Sequence, residues 1–330
     1  MGACGFFLFF WRCAAFAAAA LVASAVAARA DENWPQRPIT IVVPFQAGGS
    51  ADLLGRIAQK HLEAALHTPV VVENRSGAGG SIGTAYVARA AADGYTLGLG
   101  TFSTNILNPL IYSKLSYDAE RDFEPVAILV RFPNLLVVGP NVPAKTVPEL
   151  ITYIRAHDGA LNYGSSGIGT SSHLSVVMFE LATGAHMAHV PFRSTADDVT
   201  SLMNGSIDLA IDSMTTLWPQ AQAGAIRALA VTSEQRSAAA PDLPTIGETL
   251  PGYAVTAWQG LMAPKGTPRP TVERIAAVLR GSFASPEVAD AMIKLGGEAA
   301  FMGPDDFAAY VKSEMPKWRD VVRASGVHLD

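Results

Sequence analysis

Gly48, Gly49 and Ser50 stand between an apolar run, ITIVV (39–43), and a helical pattern whose first turn carries Asp52. Far downstream, Gly167 and Gly169 flank Ile168, and Thr170, Ser171 and Ser172 open another helical pattern. The glycines keep side chains out of the way, Ser50 can cap the first helix, and Thr170, Ser171 and Ser172 supply hydroxyls at the start of the second. A helix start carries about half a positive charge and turns backbone N–H groups towards whatever sits above it, a ready anion site. Two such ends facing across a cleft supply about one positive charge. That balances one carboxylate without a buried arginine, which would be costly to leave unpaired when the ligand departs. Taken singly, either loop reads as a tight turn. Their equivalent places in two halves of the chain point to a binding role.

Other chemistries fit less well. A nucleophile elbow needs G-x-S-x-G, but Gly164, Ser166 and Gly167 give G-x-S-G, so a secreted hydrolase using Ser165 or Ser166 lacks its spacing. His173 is expected to pack or to brace the loop. HMAH (186–189) lacks the E-x-x-H frame of a zinc helix and lies in a strand pattern, so no metal site is expected. SGAGGSIG (76–83) needs its last fingerprint glycine where Ile82 stands, and it follows the second strand, so no nucleotide and no cofactor are expected. Asp197 and Asp198 read as the solvated first turn of a helix. Asp52 and Arg56 read as a helix-surface pair. Phe102 and Trp258 suit a pocket wall or the core equally.

These residues must be held by an α/β framework. Strand runs at PITIVVPF, PVVVEN and YTLGLGT alternate with helical runs, which implies a parallel sheet with helical crossovers. A middle block repeats the alternation, with NLLVVGP, LNYGSS, HMAHVPF, SIDLAIDS and AIRALAVTS reading as strands and helices between them. TVPELITYIRAH has Thr146 as N-cap and Pro148 in its first turn. Three helices close the chain, the last two opened by Pro286 and Pro304. The simplest architecture is two α/β lobes, each with a mainly parallel sheet. Residues 31–130 with 254–330 form the first, residues 131–253 the second, and the ligand cleft lies between. Chain crossings are expected near PVAILVRF and AVTAWQGLMAP.

The chain has 330 residues, 16% of them charged, and a formal net charge of −5, which argues against a nucleic-acid partner. CAAFAAAALVASAVAA (13–28) followed by ARA reads as a secretory signal peptide cleaved near Ala30. FFLFFW ahead of Arg12 departs from the usual order, in which charge precedes the apolar stretch, and leaves an uncleaved anchor as the alternative. Both cysteines, Cys4 and Cys13, leave with the leader, so the mature domain stands on its core without disulfides. The expected location is the periplasm.

Read together, WPQRPITIVVPFQAGGSADLLGR, VVVENRSGAGGSIG, ADGYTLGLGT, LNYGSSGIGTSSHL, HVPFR, GSIDLAID and WQGLMAPKGTP resemble the Bug, or TctC-like, family over nearly the whole mature sequence. These are extracytoplasmic solute-binding receptors of tripartite tricarboxylate transporters. The resemblance implies a Venus-flytrap fold of the periplasmic-binding-protein type, type II-like. It implies no catalysis, a small carboxylate ligand, a monomer, and large and small permease subunits as partners. Phe45, Ala47, Gly48 and Gly49 would carry the first lobe's share of the ligand, and Gly167, Gly169 and Thr170 the second's. Ser50 and Ser171 add hydroxyls at the two helix starts. Phe45, Gln46, Thr101, Phe102, Ser103, Arg193, Ser194, Asp212 and Trp258 are candidates for the shell that selects the ligand. Ser194 stands where the family often has glycine. A ligand-sensing subunit for a signalling receptor is the alternative reading, which sequence does not separate from transport.

Overall fold

The computed structural model describes residues 34–192, 195–294 and 297–328, and residues 37–330 form one compact unit. The signal-peptide reading, Arg193 and Ser194 lie outside the described residues. Val- and Ile-rich runs make β1 (Ile39–Val43) and β2 (Val70–Asn74), and the run TLGLGT makes β3 (Thr96–Thr101). Helix α1 (Ser50–Leu66) joins the first two, and α2 (Ser81–Ala88) the next two. β1 pairs in parallel with both β2 and β3, as alternating strands and helices dictate. After β3 the chain makes a π-helical turn, Ser103–Leu107, and one further turn, Asn108–Ile111.

Strand β4 (Phe123–Val138) is the longest, 16 residues. The second half follows with α3 (Val147–Ala156), β5 (Asn162–Ser165), α4 (Ser171–Thr183), β6 (Ala188–Pro191), α5 (Thr195–Met203), β7 (Leu209–Ser213), α6 (Met214–Gln222) and β8 (Arg227–Val231). The chain returns through β9 (Thr256–Pro264) and ends with α7 (Arg269–Phe283), α8 (Pro286–Lys294), β10 (Glu298–Met302) and α9 (Pro304–Ser325). Thr146 caps α3 as expected, its hydroxyl accepting from the Glu149 N–H.

The strands run β2-β1-β3-β9-β4-β7-β5-β6, with β8 and β10 also on β4. β5 is parallel to β6 and β7, so each half has the expected parallel strands. The two crossing segments turn out to be strands themselves, and they add antiparallel pairs. β9 lies antiparallel between β3 and β4, and β4 pairs antiparallel with β7 and β8. Within β4, residues 123–133 belong to one half of the sheet and 134–138 to the other. The passage is pinned by Thr232, whose Oγ1 accepts from the Asn134 N–H at 2.8 Å and donates to the Val255 carbonyl at 2.6 Å.

Alternation along β4 builds two cores. Leu135 and Val137 face Val199 and Leu202 of α5 and Leu217 of α6. Leu136 and Val138 join the larger cluster with Leu150 and Ile154 of α3 and Leu174 of α4. That cluster continues to Phe102, Trp258, Phe307 and Trp318. β10, which pairs with β4, was not expected; its residues are all half-buried and show no alternation to reveal a strand. Among the described residues, no helix is long and apolar enough to cross a membrane.

Candidate functional site

Both glycine-rich loops leave the carboxyl end of a parallel strand and enter a helix. In the first, β1 runs into α1. Gly49, not Ser50, occupies the N-cap position, and no side chain caps the helix there. Ser50 instead accepts a hydrogen bond from Gln259 Nε2 of β9 at 3.1 Å. The brace is Asp52. Its Oδ2 accepts from the Gly48 N–H at 2.9 Å and from Arg56 Nε at 3.0 Å, and its Oδ1 from Asn74 Nδ2 at 3.0 Å. The Asp52–Arg56 pair therefore exists, but it is no surface pair, because Asp52 is 2% exposed. Burial alone would raise the Asp52 pKa; the hydrogen bonds from Arg56, Gly48 and Asn74 outweigh it and hold the carboxyl below its ordinary range. Gly48 sits at φ +85°, where a side chain would be strained.

The second loop joins β5 to α4. Thr170 is the N-cap, accepting from the His173 N–H and donating to the Gly167 carbonyl at 2.6 Å. Ser172 Oγ lies 2.8 Å from Thr170 Oγ1 and 2.9 Å from Ser166 Oγ, and it accepts from the Ser166 N–H. Two side chains hold the glycines. Ser165 Oγ accepts from the Gly167 N–H at 3.2 Å, and His173 Nδ1 accepts from the Gly169 N–H at 3.2 Å. His173 is thus the loop brace expected of it. Its ring stacks on His189 at 4.1 Å, and His189 stacks on Tyr163. Burial, then the neighbouring His189, lowers the His173 pKa to about 4, so the ring is neutral and able to accept at neutral pH.

His189, weighed in the sequence only as part of a metal motif, has a bracing role that sequence reasoning missed. Its Nε2 lies 2.7 Å from Ser165 Oγ, a pairing suggestive of a nucleophile and base. Yet Ser165 is wholly buried and turned towards the Gly167 backbone, so the pair braces the loop. No sequence spacing reveals it, because the residues come from adjacent parallel strands, with Ser165 opposite Pro191.

Beneath this loop lie two acids. Asp212 is 3% exposed and accepts from the Ser213 N–H, Thr195 Oγ1 and Ser166 Oγ. Asp198, expected in solvent, is 0% exposed; only Asp197 of the pair faces water. Helix α5 presents Asp198 to β5, where Gly164 has no room for a Cβ beside its carboxyl. Burial, then the charge of Asp212, pushes the Asp198 pKa up to about 8. Burial also raises Asp212 despite its hydrogen bonds.

A cavity of about 350 Å³ opens beside the first loop, lined by Phe45, Gly49, Ser50, Ala51, Thr101, Phe102, Ser103, Phe132, Ala257, Trp258 and Gln259. It gathers Phe45, Gly49, Ser50, Thr101 and Ser103 of the expected site, with Phe102 and Trp258. Gln46, Ala47 and Gly48 lie exposed on the loop outside its lining. Phe132, Ala257 and Gln259 were missed, because they come from the crossing strands β4 and β9. Gly167, Gly169, Thr170, Ser171 and Asp212 gather at the second loop. A Cβ at Gly169 would stand 3.2 Å from Ile111 and 3.5 Å from Val327, which brings that loop against the turn following β3 and the end of α9. Among the described residues no cluster of His, Cys, Asp or Glu is placed to hold a metal ion.

The fold and loops define an α/β protein of the two-lobed binding-protein class. The chain belongs to the tripartite tricarboxylate transporter family receptor (TctC) family, matched over residues 54–327. It is 36% identical to the UPF0065 protein in the tcbD-tcbE intergenic region of Pseudomonas sp. (strain P51), over 92% of this chain and 91% of that one. An R. palustris protein solved with adipate superposes with a TM-score of 0.74 at 36% identity, covering 89% of this chain and 99% of that one. MatC from Rhodopseudomonas palustris, solved with bound malate, gives 0.69 at 33% identity, covering 88% and 100%.

Proposed function

We propose that this chain is a periplasmic receptor that captures a small carboxylate between two lobes and presents it to the membrane subunits of a tripartite tricarboxylate-type transporter. The observation that carries the reading is the pair of braced strand-to-helix loops. Each loop ends in a helix whose first-turn N–H groups have no intrahelical acceptor. Together the two helix starts offer about one positive charge. Relatives solved with adipate and malate support a carboxylate as the ligand.

In this reading the lobes are residues 31–130 with 254–330, and residues 131–253. They move about the passage of β4 and the start of β9, where Asn134, Thr232 and Val255 are linked. Ligand bridging both loops stabilises the closed form by hinge closure. Gly48, Gly167 and Gly169 already donate to Asp52, Ser165 and His173. Their role is to fix loop shape, while the first-turn amides of α1 and α4 meet the carboxylate. Phe45, Thr101, Ser103, Asp212 and Arg193 complete the shell. The chain works as a monomer, without cofactor or catalytic step, after removal of residues 1–30.

The test is a thermal-melt screen of residues 31–330 against mono-, di- and tricarboxylates, with amide analogues as controls. A ligand at 100 times its Kd adds about 2.7 kcal/mol of stability. A shift with an acid but not its amide is expected. Equal shifts with acid and amide would overturn the carboxylate clamp.

A further inference from the structure

The wall of the cavity beside the first loop is built for carbon. Phe45, Phe132 and Ala257 present half-buried apolar surface, and Phe102 and Trp258 close the floor. The floor is held from behind: Phe102 meets Trp318 edge-on at 4.8 Å, and Trp258 meets Phe307 edge-on at 5.0 Å. Two of the polar lining groups are tied to the protein itself, while Trp258 Nε1 and Gln259 Oε1 are buried without a hydrogen-bond partner. Ser50 Oγ accepts from Gln259 Nε2, and Thr101 Oγ1 accepts from the Thr104 N–H at 3.1 Å. The third glycine-rich loop acquires a purpose here. Gly80, at φ +90°, leaves space in which a Cβ would stand 3.0 Å from the Phe45 ring and 2.8 Å from Thr104, so the loop backs the Phe45 side of the cavity.

An apolar cavity of about 150 Å³ is enough to take up benzene. The volume here is about 350 Å³. A second carboxylate buried against this wall would lose its water without gaining a partner from the aromatic rings. From this we propose that the ligand is an aryl or medium-chain alkyl carboxylate, its acid group at the helix starts and its ring or chain in this cavity. The proposal rests on the carboxylate-receptor reading and goes beyond it by naming the tail.

Titration calorimetry on the mature protein tests it with linear monoacids from acetate to octanoate, with benzoate and phenylacetate, and with succinate, adipate, malate and citrate. Each added methylene is expected to tighten binding roughly fourfold until the cavity is full. Hexanoate is expected to exceed adipate, its diacid of equal length, by at least tenfold. Ala257→Arg, which sets a cation on the wall, is expected to reverse that order. The wild-type comparison stands by itself if this variant does not fold. Diacids or hydroxy acids binding tenfold tighter than every monoacid would overturn the proposal and leave the receptor reading intact. No binding by any acid, with none released on denaturing the protein, would overturn both.

Discussion

Asp52 is the residue on which the first loop depends, and Asp52→Ala measures how much. The change removes acceptors for the Gly48 N–H, Asn74 Nδ2 and Arg56 Nε. Hydrogen bonds to a charged group contribute about 1.5–3 kcal/mol each. The Arg56 side chain is half exposed, so its share is under about 1 kcal/mol. Gly48 and Asn74 together then set an expected loss of about 3–6 kcal/mol. At roughly 2 °C per kcal/mol for a chain of this size, Tm falls by about 6–12 °C. Freeing the Gly48 backbone adds about 1–2 kcal/mol of ordering cost to ligand binding. The corresponding weakening of Kd is about 5- to 30-fold. Differential scanning calorimetry and ligand titration read the two effects separately. Asp52→Asn, which keeps one acceptor, is expected to fall between. A Tm change under about 1 °C with an unchanged Kd would refute the brace.

Asp198 predicts a pH dependence. Its pKa is raised from 3.8 to about 8, so the folded protein binds a proton that the unfolded chain has released between those values, and stability declines as pH rises through that window. Tm should fall from pH 5 to pH 9, and Asp198→Asn should flatten the decline. Gly164→Ala drives a Cβ into the Asp198 carboxyl and Ile207, and is expected to cost at least the upper end of the roughly 1–3 kcal/mol typical of overpacking, measured by urea denaturation. Thr146→Ala removes the α3 cap and should cost about 1 kcal/mol while leaving ligand affinity unchanged, since α3 is not part of the cavity lining.

The sequence alone determined the parallel βα units, because strand and helix periodicities are local and the two glycine-rich turns are written in consecutive residues. It determined the Thr146 cap for the same reason, but left His173 between packing and bracing until the Gly169 N–H was seen to meet its Nδ1. It misassigned what depends on burial. Asp52 and Asp198 look like ordinary first-turn acids, and only packing against Asn74 or β5 removes them from water. The pairing of Ser165 with His189 required two strands to lie side by side. Phe132, Ala257 and Gln259 entered the cavity because β4 runs through both halves of the sheet and β9 lies between β4 and β3. A strand's direction and neighbours are set by long-range hydrogen bonding and side-chain packing, which no local pattern encodes. The two loops proposed to hold the ligand were therefore legible along the chain, while the cavity wall beside the first of them was decided by the tertiary structure.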